Sequence, residues 1–484
     1  MQSAGCGTGS RRTWVILQAA ICLLHSALAS PQLVWQATYD GPSHGEDKVT
    51  GLATDPSGNC YLTGYSYGDT TDYDFATVCV NASGRTVWAS RYGSPLHCED
   101  RPWCLARDSA GNVIASGGTI ADFSVGWDYQ TIKYAPAGDV VWLRRQDFAF
   151  HYDDKPAAMS VGPGNSLVIA GASRRRPVPA AERQPSAENR TDWDISLVKY
   201  APSGDTVWTR LYDGQAGLDD YAAAIAVDEQ GNCYVAGKTT TRRSTDIALL
   251  KFRSDGSLAW HREIDGAGHS ADMAACVLLD HAGHVYVVGS VTGAATSFDY
   301  EAACFDTGGR LAWQRQYDAA GRVDIAAAAC LDPEGNLVVT GQSTGNATSF
   351  DIATVKYSPA GGLLWARRYN GPRNAADRGW CVATDRHGQV VVGGNSVGAT
   401  SYPDLLLTCY SPGGDSLWTF RYSGTGAGEA RPVAIQVRTG PPSEAADAPP
   451  RLLVAGYASM AQTGFDYLLL LVDPDGRREQ SPGR

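Results

Sequence analysis

"DIAAAACLDPEGNLVVTGQSTGNATSFDIATVKYSPAGGLLWARRYNG", residues 324–371, holds four apolar segments of strand length, each bounded by turn chemistry. Strand a runs from Asp324 to Leu331 and is followed by the turn "DPEGN". Strand b is "LVVTG", strand c is "DIATVKY", and strand d is "LLWARRY" after "SPAGG". Proline and glycine fill the a–b and c–d turns, where φ is restricted or positive, and Thr, Ser and Asn fill the longer b–c loop. Such a four-stranded antiparallel unit buries its apolar faces only against copies of itself, as the blade of a β-propeller does.

The unit recurs. Tryptophans at 35, 88, 142, 208, 260, 313, 365 and 418 are 53, 54, 66, 52, 53, 52 and 53 residues apart, so one interval alone carries an insertion. Complete units begin at Asp47, Asp100, Asp154, Asp220, Asp272, Asp324 and Asp377, and an eighth begins at Glu429 but ends in "RREQSPGR" without a Trp strand. The missing strand d is the orphan at the amino end, Val34 to Tyr39, inside "WQATYDG" (35–41). Pairing that orphan beside strand c of the last unit closes a ring of eight blades and covers an open sheet edge. Seven blades with a loose eighth unit is the alternative. The expectation is an all-β chain with one propeller domain over residues 30–478 and a tail at 479–484.

Residues 1–29 read as a signal peptide. Arg11 and Arg12 precede the apolar run Trp14 to Leu24, and Ala27-Leu28-Ala29 offers the small residues that a signal peptidase accepts. This predicts a secreted or periplasmic protein. No later segment has 18 consecutive apolar residues, so no membrane span is expected. The formal charge of −11 on 484 residues, with Lys and Arg scattered, argues against nucleic acid as a partner. The ten cysteines after residue 29 lack a short fixed spacing and read mainly as small buried hydrophobes. If any bridge forms, Cys98–Cys104 is the first candidate and Cys60–Cys79 the second.

The units resemble the seven-bladed β-propeller repeat of secreted bacterial proteins, through stretches such as "IAVDEQGNCYVAGKT" (225–239) followed by "DIALLKF" (246–252). That resemblance spans the whole chain after the leader and implies fold more than chemistry, because the family is mostly without an assigned activity. The "SPAGGLLW" turn (358–365) also resembles the tryptophan-docking turn of eight-bladed quinoprotein dehydrogenases and of outer-membrane assembly scaffolds. No two cysteines are adjacent, in contrast to those dehydrogenases, and a quinone cofactor is not expected.

Two acidic rings follow from aligning the units. Asp47, Asp100, Asp154, Asp220, Asp272, Asp324, Asp377 and Glu429 open strand a; Asp74, Asp128, Asp194, Asp246, Asp299, Asp351, Asp404 and Asp466 open strand c. Both rings fall on the face of the b–c and d–a loops. They read as acceptors for loop N–H groups, with Ca²⁺ bound by the acidic ring as the alternative. Four of nine histidines, His44, His97, His151 and His269, stand three residues before a strand-a acid, where other units have Gly217, Gly321, Asn374 and Gly426. His44, His97 and His151 belong to consecutive blades and could ligate Zn²⁺ or Mn²⁺; the competing reading is a His–Asp bond that holds loops together.

Other candidates are weaker. His281 and His284 in the a–b turn of blade five read as surface variation, and Lys133, Lys199, Lys251 and Lys356 of strand c as snorkelling residues. The aromatics before the strand-c acid, Trp127 and Trp193 among them, could stack on sugars or pack between loops. Two insertions break the repeat on opposite faces, Arg174 to Thr191 and Arg438 to Pro450, the first beginning with Arg174, Arg175 and Arg176. The expectation is a monomeric, non-enzymatic binding or scaffold module for a protein or glycan partner. Candidate contacts are Arg174, Arg175, Arg176, Trp127 and Trp193. The alternative is a metal-dependent lyase or hydrolase at the channel mouth.

Overall fold

The computed structural model describes residues 30–68, 72–120, 126–148, 152–174, 192–294, 297–345, 349–399, 401–438 and 450–476. The leader (1–29), the tail (479–484), Arg175, Arg176 and the rest of the first insertion, His151, and residues 439–449 of the second insertion lie outside the described residues.

Eight four-stranded antiparallel sheets follow one another around a ring. Blades one to seven are each built from consecutive strands, beginning with Asp47–Thr54, Cys60–Tyr67, Tyr73–Val80 and Thr86–Tyr92. Blade eight takes strands a to c from Ala430–Arg438, Arg451–Met460 and Gly464–Asp473, and its strand d from Gln32–Tyr39. Gln32 pairs with Asp473 and Tyr39 with Tyr467, so the orphan strand closes the ring and the seven-blade alternative falls away. The one helical element among the described residues is a short 3-10 turn, Pro163–Asn165.

There is no central core. Each hydrophobic cluster straddles two neighbouring blades; Leu469 and Leu471 of blade eight, for example, pack with Val49, Leu62 and Val78 of blade one. Strands b and c are buried almost throughout, strand a is half-buried, and the beginning of strand d is exposed. Burial of both sheet faces explains the near-continuous apolar runs of strands b and c.

The tryptophans fasten one blade to the next. Trp313 of blade five donates its indole N–H to the carbonyl of Pro359 in the c–d turn of blade six (2.8 Å) and lies between Tyr286 and Tyr357. Trp88, Trp142, Trp208, Trp260 and Trp365 donate to Pro136, Pro202, Ser254, Thr307 and Pro412 in the same way. The ring covers a glycine of that turn. At Gly361 φ is +79°, and a Cβ would stand 2.7 Å from Trp313. Both the backbone angle and the contact therefore exclude a side chain there. A β-bulge immediately before the tryptophan, as at Leu364 between Leu363 and Trp365, recurs in strand d of every blade.

Replacing Trp313 by Ala should lower unfolding free energy by about 3–5 kcal/mol, and by Phe by less, since only the N–H bond and part of the ring are lost. Denaturant titration checks this. A Trp313→Ala chain of unchanged stability would mean that the docking is incidental.

Candidate functional site

The acids that open strand a are structural in placement. Asp47, Asp100, Asp154, Asp220, Asp272, Asp324 and Asp377 are almost fully buried. Each accepts a backbone N–H from the d–a loop that leads to it, donated by Gly41, Ser94, Phe148, Gly214, Gly266, Ala319 and Gly371 respectively. Burial drives their carboxyl groups upward, Asp100 to about 6 and Asp154 to about 7. The strand-c acids Asp74, Asp351 and Asp404 instead meet guanidinium groups of strand d, those of Arg91, Arg368 and Arg421, at 2.8, 2.7 and 3.3 Å.

The histidines share a backbone conformation. His44, His97 and His269 have φ of +52°, +54° and +46°, the left-handed region, and the equivalent Asn374, Gly217 and Gly321 have +51°, +61° and +67°. In each of the loops of His44, His97, His269 and Asn374 the N–H of this residue closes a turn onto the carbonyl three residues earlier. Gly and Asn are the ordinary occupants of that region, and a histidine accepts it at some cost. His44 and His269 turn back on Asp40 and Asp265, four residues earlier, with Nδ1 to Oδ2 distances of 2.5 and 2.6 Å. Asn370 donates to Asn374 at the same place in blade six. His97 has Gly93 four residues before it, so it lacks that acid. Among the described residues, the side-chain groups able to hold a metal ion consist of aspartates alone and include no histidine.

Trp127, Trp193 and Arg174 come together on the arc of blades two to four. Asp153 accepts the N–H of Trp127 (3.2 Å) and faces Arg174 at 3.7 Å. Trp127 packs on Trp103 with ring centroids 5.8 Å apart, and Trp193 on Tyr221 at 5.5 Å. The ammonium of Lys155 lies 5.4 Å above Trp193, and that of Lys238 lies 4.5 Å above Tyr221. Both tryptophans are thus packed on an aromatic ring of strand a, and a lysine lies over Trp193 and another over Tyr221.

Three features escaped the sequence reading. The a–b turns carry a third recurring acid, Asp55, Asp108, Asp228, Asp280, Asp332 and Asp385, in stretches such as "DPSGN" (55–59) and "DHAGH" (280–284). Its carboxylate accepts the N–H of the residue four positions on and, where that residue is Asn or His, a side-chain bond as well. His284 is therefore a turn partner of Asp280 at 2.7 Å and not surface variation. Second, Lys133 and Lys356 are buried in ion pairs with Asp108 and Asp332, both at 2.7 Å, and do not snorkel. Each also donates to the next blade, to the carbonyls of Pro202 and Pro412. Third, Glu301 of blade five is fully buried where other blades have Ala76, Gln130, Ser196, Ala248, Ala353, Leu406 and Leu468, and burial pushes its carboxyl up to about 8.

The cysteines are all free thiols among the described residues. Cys60 stands opposite Val80, and Cys79 opposite Tyr61, one position out of step, so their side chains leave opposite faces of the sheet. The thiols of Cys98 and Cys104 point to the carbonyls of Leu96 and Ser116, so neither proposed bridge exists. On the side of the a–b turns, a cleft of about 380 Å³ between blades four and five is lined by Asp228, Tyr234, Asp280, His281 and Thr307. Two of those acids are already tied to Asn232 and His284. No described helix is long and apolar enough to cross a membrane.

Against this geometry, the sequence pattern of the outer membrane protein assembly factor BamB matches residues 194–439, just over half of the chain. The chain belongs to this BamB-like repeat family. The match agrees with the resemblance of its tryptophan-docking turn to that of outer-membrane assembly scaffolds. No curated protein sequence matches the chain. Among solved structures, Sqt1 from Chaetomium thermophilum has a TM-score of 0.53 at 10% identity, over 91% of this chain and 99% of that one. This is a likeness of fold. The periplasmic gluconolactonase of Pseudomonas aeruginosa has a TM-score of 0.43 at 12% identity, over 75% of this chain and 96% of its own. A PL25 ulvan lyase has 0.41 at 10%, over 77% of this chain and 91% of its own. Likenesses as distant as these two bear on no activity.

Two substitutions test the structural assignments. His97→Gly should leave stability unchanged or raise it by up to about 1 kcal/mol, since glycine relieves the left-handed strain. A loss of more than that in a thermal melt would show that the imidazole itself holds the loop. For Glu301, the unfolded carboxyl titrates near 4.5 and the folded one near 8, so the folded state retains the proton across that window. Its contribution is complete below pH 4.5 and declines as pH rises to 8. Glu301→Gln should therefore match the parent near pH 4.5 and exceed it by a few kcal/mol, as an order of magnitude, by pH 8. A difference that is flat with pH would contradict the assignment.

Proposed function

We propose that the protein is an exported, non-enzymatic binding scaffold that engages a protein or glycan partner on the loop face of blades two to four. One observation carries the reading. Of the two insertions, the one in blade three places its extra residues between Arg174 and Trp193. Those two residues belong to a group that also holds Trp127, Lys155, Tyr221 and Lys238. Aromatic and cationic side chains concentrated at one place on an otherwise acidic protein suit a partner with apolar or hydroxyl-rich surface and negative charge. Membership of a family described as an outer membrane protein assembly factor supports a scaffold role and an extracytoplasmic site of action.

The recurring polar groups support a non-enzymatic reading. Strand-a acids, a–b turn acids and the buried lysines are occupied with backbone and turn bonds that a blade requires in order to fold. A general base with a free, reactive partner does not emerge from them.

The test is a chain in which a four-residue Gly-Ser linker, the length that joins Thr240 to Thr245 in blade four, replaces residues 175–191, compared with the parent on a glycan array and in crosslinking capture of partners. The shortened chain should melt within a few degrees of the parent, because it keeps a hairpin connection between the two paired strands. It should bind at least about tenfold more weakly, a difference of about 1.4 kcal/mol. Lys155→Glu should weaken binding in the same sense. Full binding by both variants would remove this face from consideration.

A further inference from the structure

At four junctions the strand-c acid of one blade lies close to the strand-a acid of the next: Asp466 to Asp47, Asp128 to Asp154, Asp246 to Asp272 and Asp299 to Asp324. At blades one, six and seven, strand d supplies Arg91, Arg368 or Arg421 to the strand-c acid, and two residues later stands Gly93, Asn370 or Ser423. At blades three, four, five and eight the arginine is replaced by Leu211, Glu263, Gln316 or Thr38, and the residue two on is Asp213, Asp265, Asp318 or Asp40. Blade two alone has both, Arg145 and Asp147. In four blades, then, the loss of a local cation coincides with the gain of a third carboxylate. Like charges in one buried site repel, so the exchange makes sense only if positive charge enters from elsewhere.

The junction that closes the ring shows where it would sit. Asp40 follows the amino-terminal strand, Asp466 belongs to strand c of blade eight, and Asp47 opens blade one. One oxygen from each lies within 4.8 Å of the others. One oxygen of each carboxylate is anchored: Asp40 Oδ2 by His44, Asp466 Oδ2 by the Thr463 hydroxyl, and Asp47 Oδ2 by the Gly41 N–H. Asp466 is 4% exposed, and the Oδ1 atoms of Asp466 and Asp40 are buried and accept no hydrogen bond among the described residues. Burial, reinforced by Asp40 and Asp47, pushes the Asp466 carboxyl up to about 6. Arg91 lies near Asp47, but its guanidinium is engaged by Asp74 and Ser66.

We propose that Asp40, Asp47 and Asp466 bind a divalent cation, Ca²⁺, which links the amino-terminal strand, the last blade and the first blade. An all-carboxylate donor set suits a hard cation of flexible coordination, and lacks the nitrogen and sulfur donors that select zinc. The cation does at this junction what Arg91, Arg368 and Arg421 do elsewhere.

The test counts Ca²⁺ bound per chain by equilibrium dialysis of full-length protein, stripped with EGTA and returned to about 1 mM CaCl₂, the upper range for extracellular sites. Asp466→Asn and Asp40→Asn should each bind one ion fewer than the parent, and Ca²⁺ should raise the parent's melting temperature by several degrees. If Asp466→Asn does not fold, Asp40→Asn, at a partly exposed loop position, decides. A parent that binds no Ca²⁺, with the site relieved by a proton instead, overturns the proposal; so does a folded Asp40→Asn chain that binds as many ions as the parent.

Discussion

A tryptophan at the end of one blade, seated on a glycine turn of the next, is the contact on which the rest of this ring depends. An isolated four-stranded sheet exposes two apolar faces, and each hydrophobic cluster here needs strands from two blades. Trp313 fixes the register of that stacking, because its indole N–H has one partner, the Pro359 carbonyl, and its ring has one seat, over Gly361. The buried lysine of strand c repeats the message: Lys356 binds the turn acid of its own blade and a carbonyl of the following turn. Removing one partner of such a pair leaves a buried charge, so each junction is specified by polar bonds as well as by apolar area.

This contact also explains why the architecture was legible. The spacing of the tryptophans counts the blades because each blade must present one, and the orphan Trp35 had to belong to the unit that lacked its own. Strand limits followed from the turn glycines. What could not be read lay below the resolution of a pattern. The bulge before each tryptophan adds one residue to a strand without altering its composition. The left-handed angle of His97 is announced only by the glycine and asparagine in equivalent loops, and the pattern by itself equally suited a metal ligand. The pairing of Lys133 with Asp108 repeats as Lys356 with Asp332, but recurrence alone does not show which recurring positions touch. The disulfide expectation failed because spacing along a chain is silent about which face of a sheet a side chain leaves from.

A repeat also shows which residues are free to do something else. Groups present in every blade are held by what every blade needs, so the partner recognition proposed for this protein would draw on the exceptions. These are few: the long b–c connection after Arg174, the buried acid Glu301, and the blades in which Asp stands beside the site of a missing Arg. The first leaves from Arg174 and returns at Trp193, beside aromatic rings already fixed in place by packing. Little side-chain entropy remains to be lost there when a partner docks, which favours binding per unit of area.

Ring closure is the other place where the repeat is broken, and its energetics differ from those of the remaining junctions. Strands within a blade are joined by short loops, whereas Gln32–Tyr39 must find Gly464–Asp473 across nearly the whole chain. For a loop some forty times longer, the extra closure entropy is about 3 kcal/mol, since the cost grows only with the logarithm of length. Val34, Trp35, Ala37 and Tyr39 offset it by packing on the core shared by blades eight and one, and Tyr39 meets the ring of Tyr467 at 5.3 Å. This pairing therefore carries an entropic cost that the pairs joined by short loops do not, and any interaction that joins the closing strand to both flanking blades acts on the stability of the whole propeller rather than of one sheet.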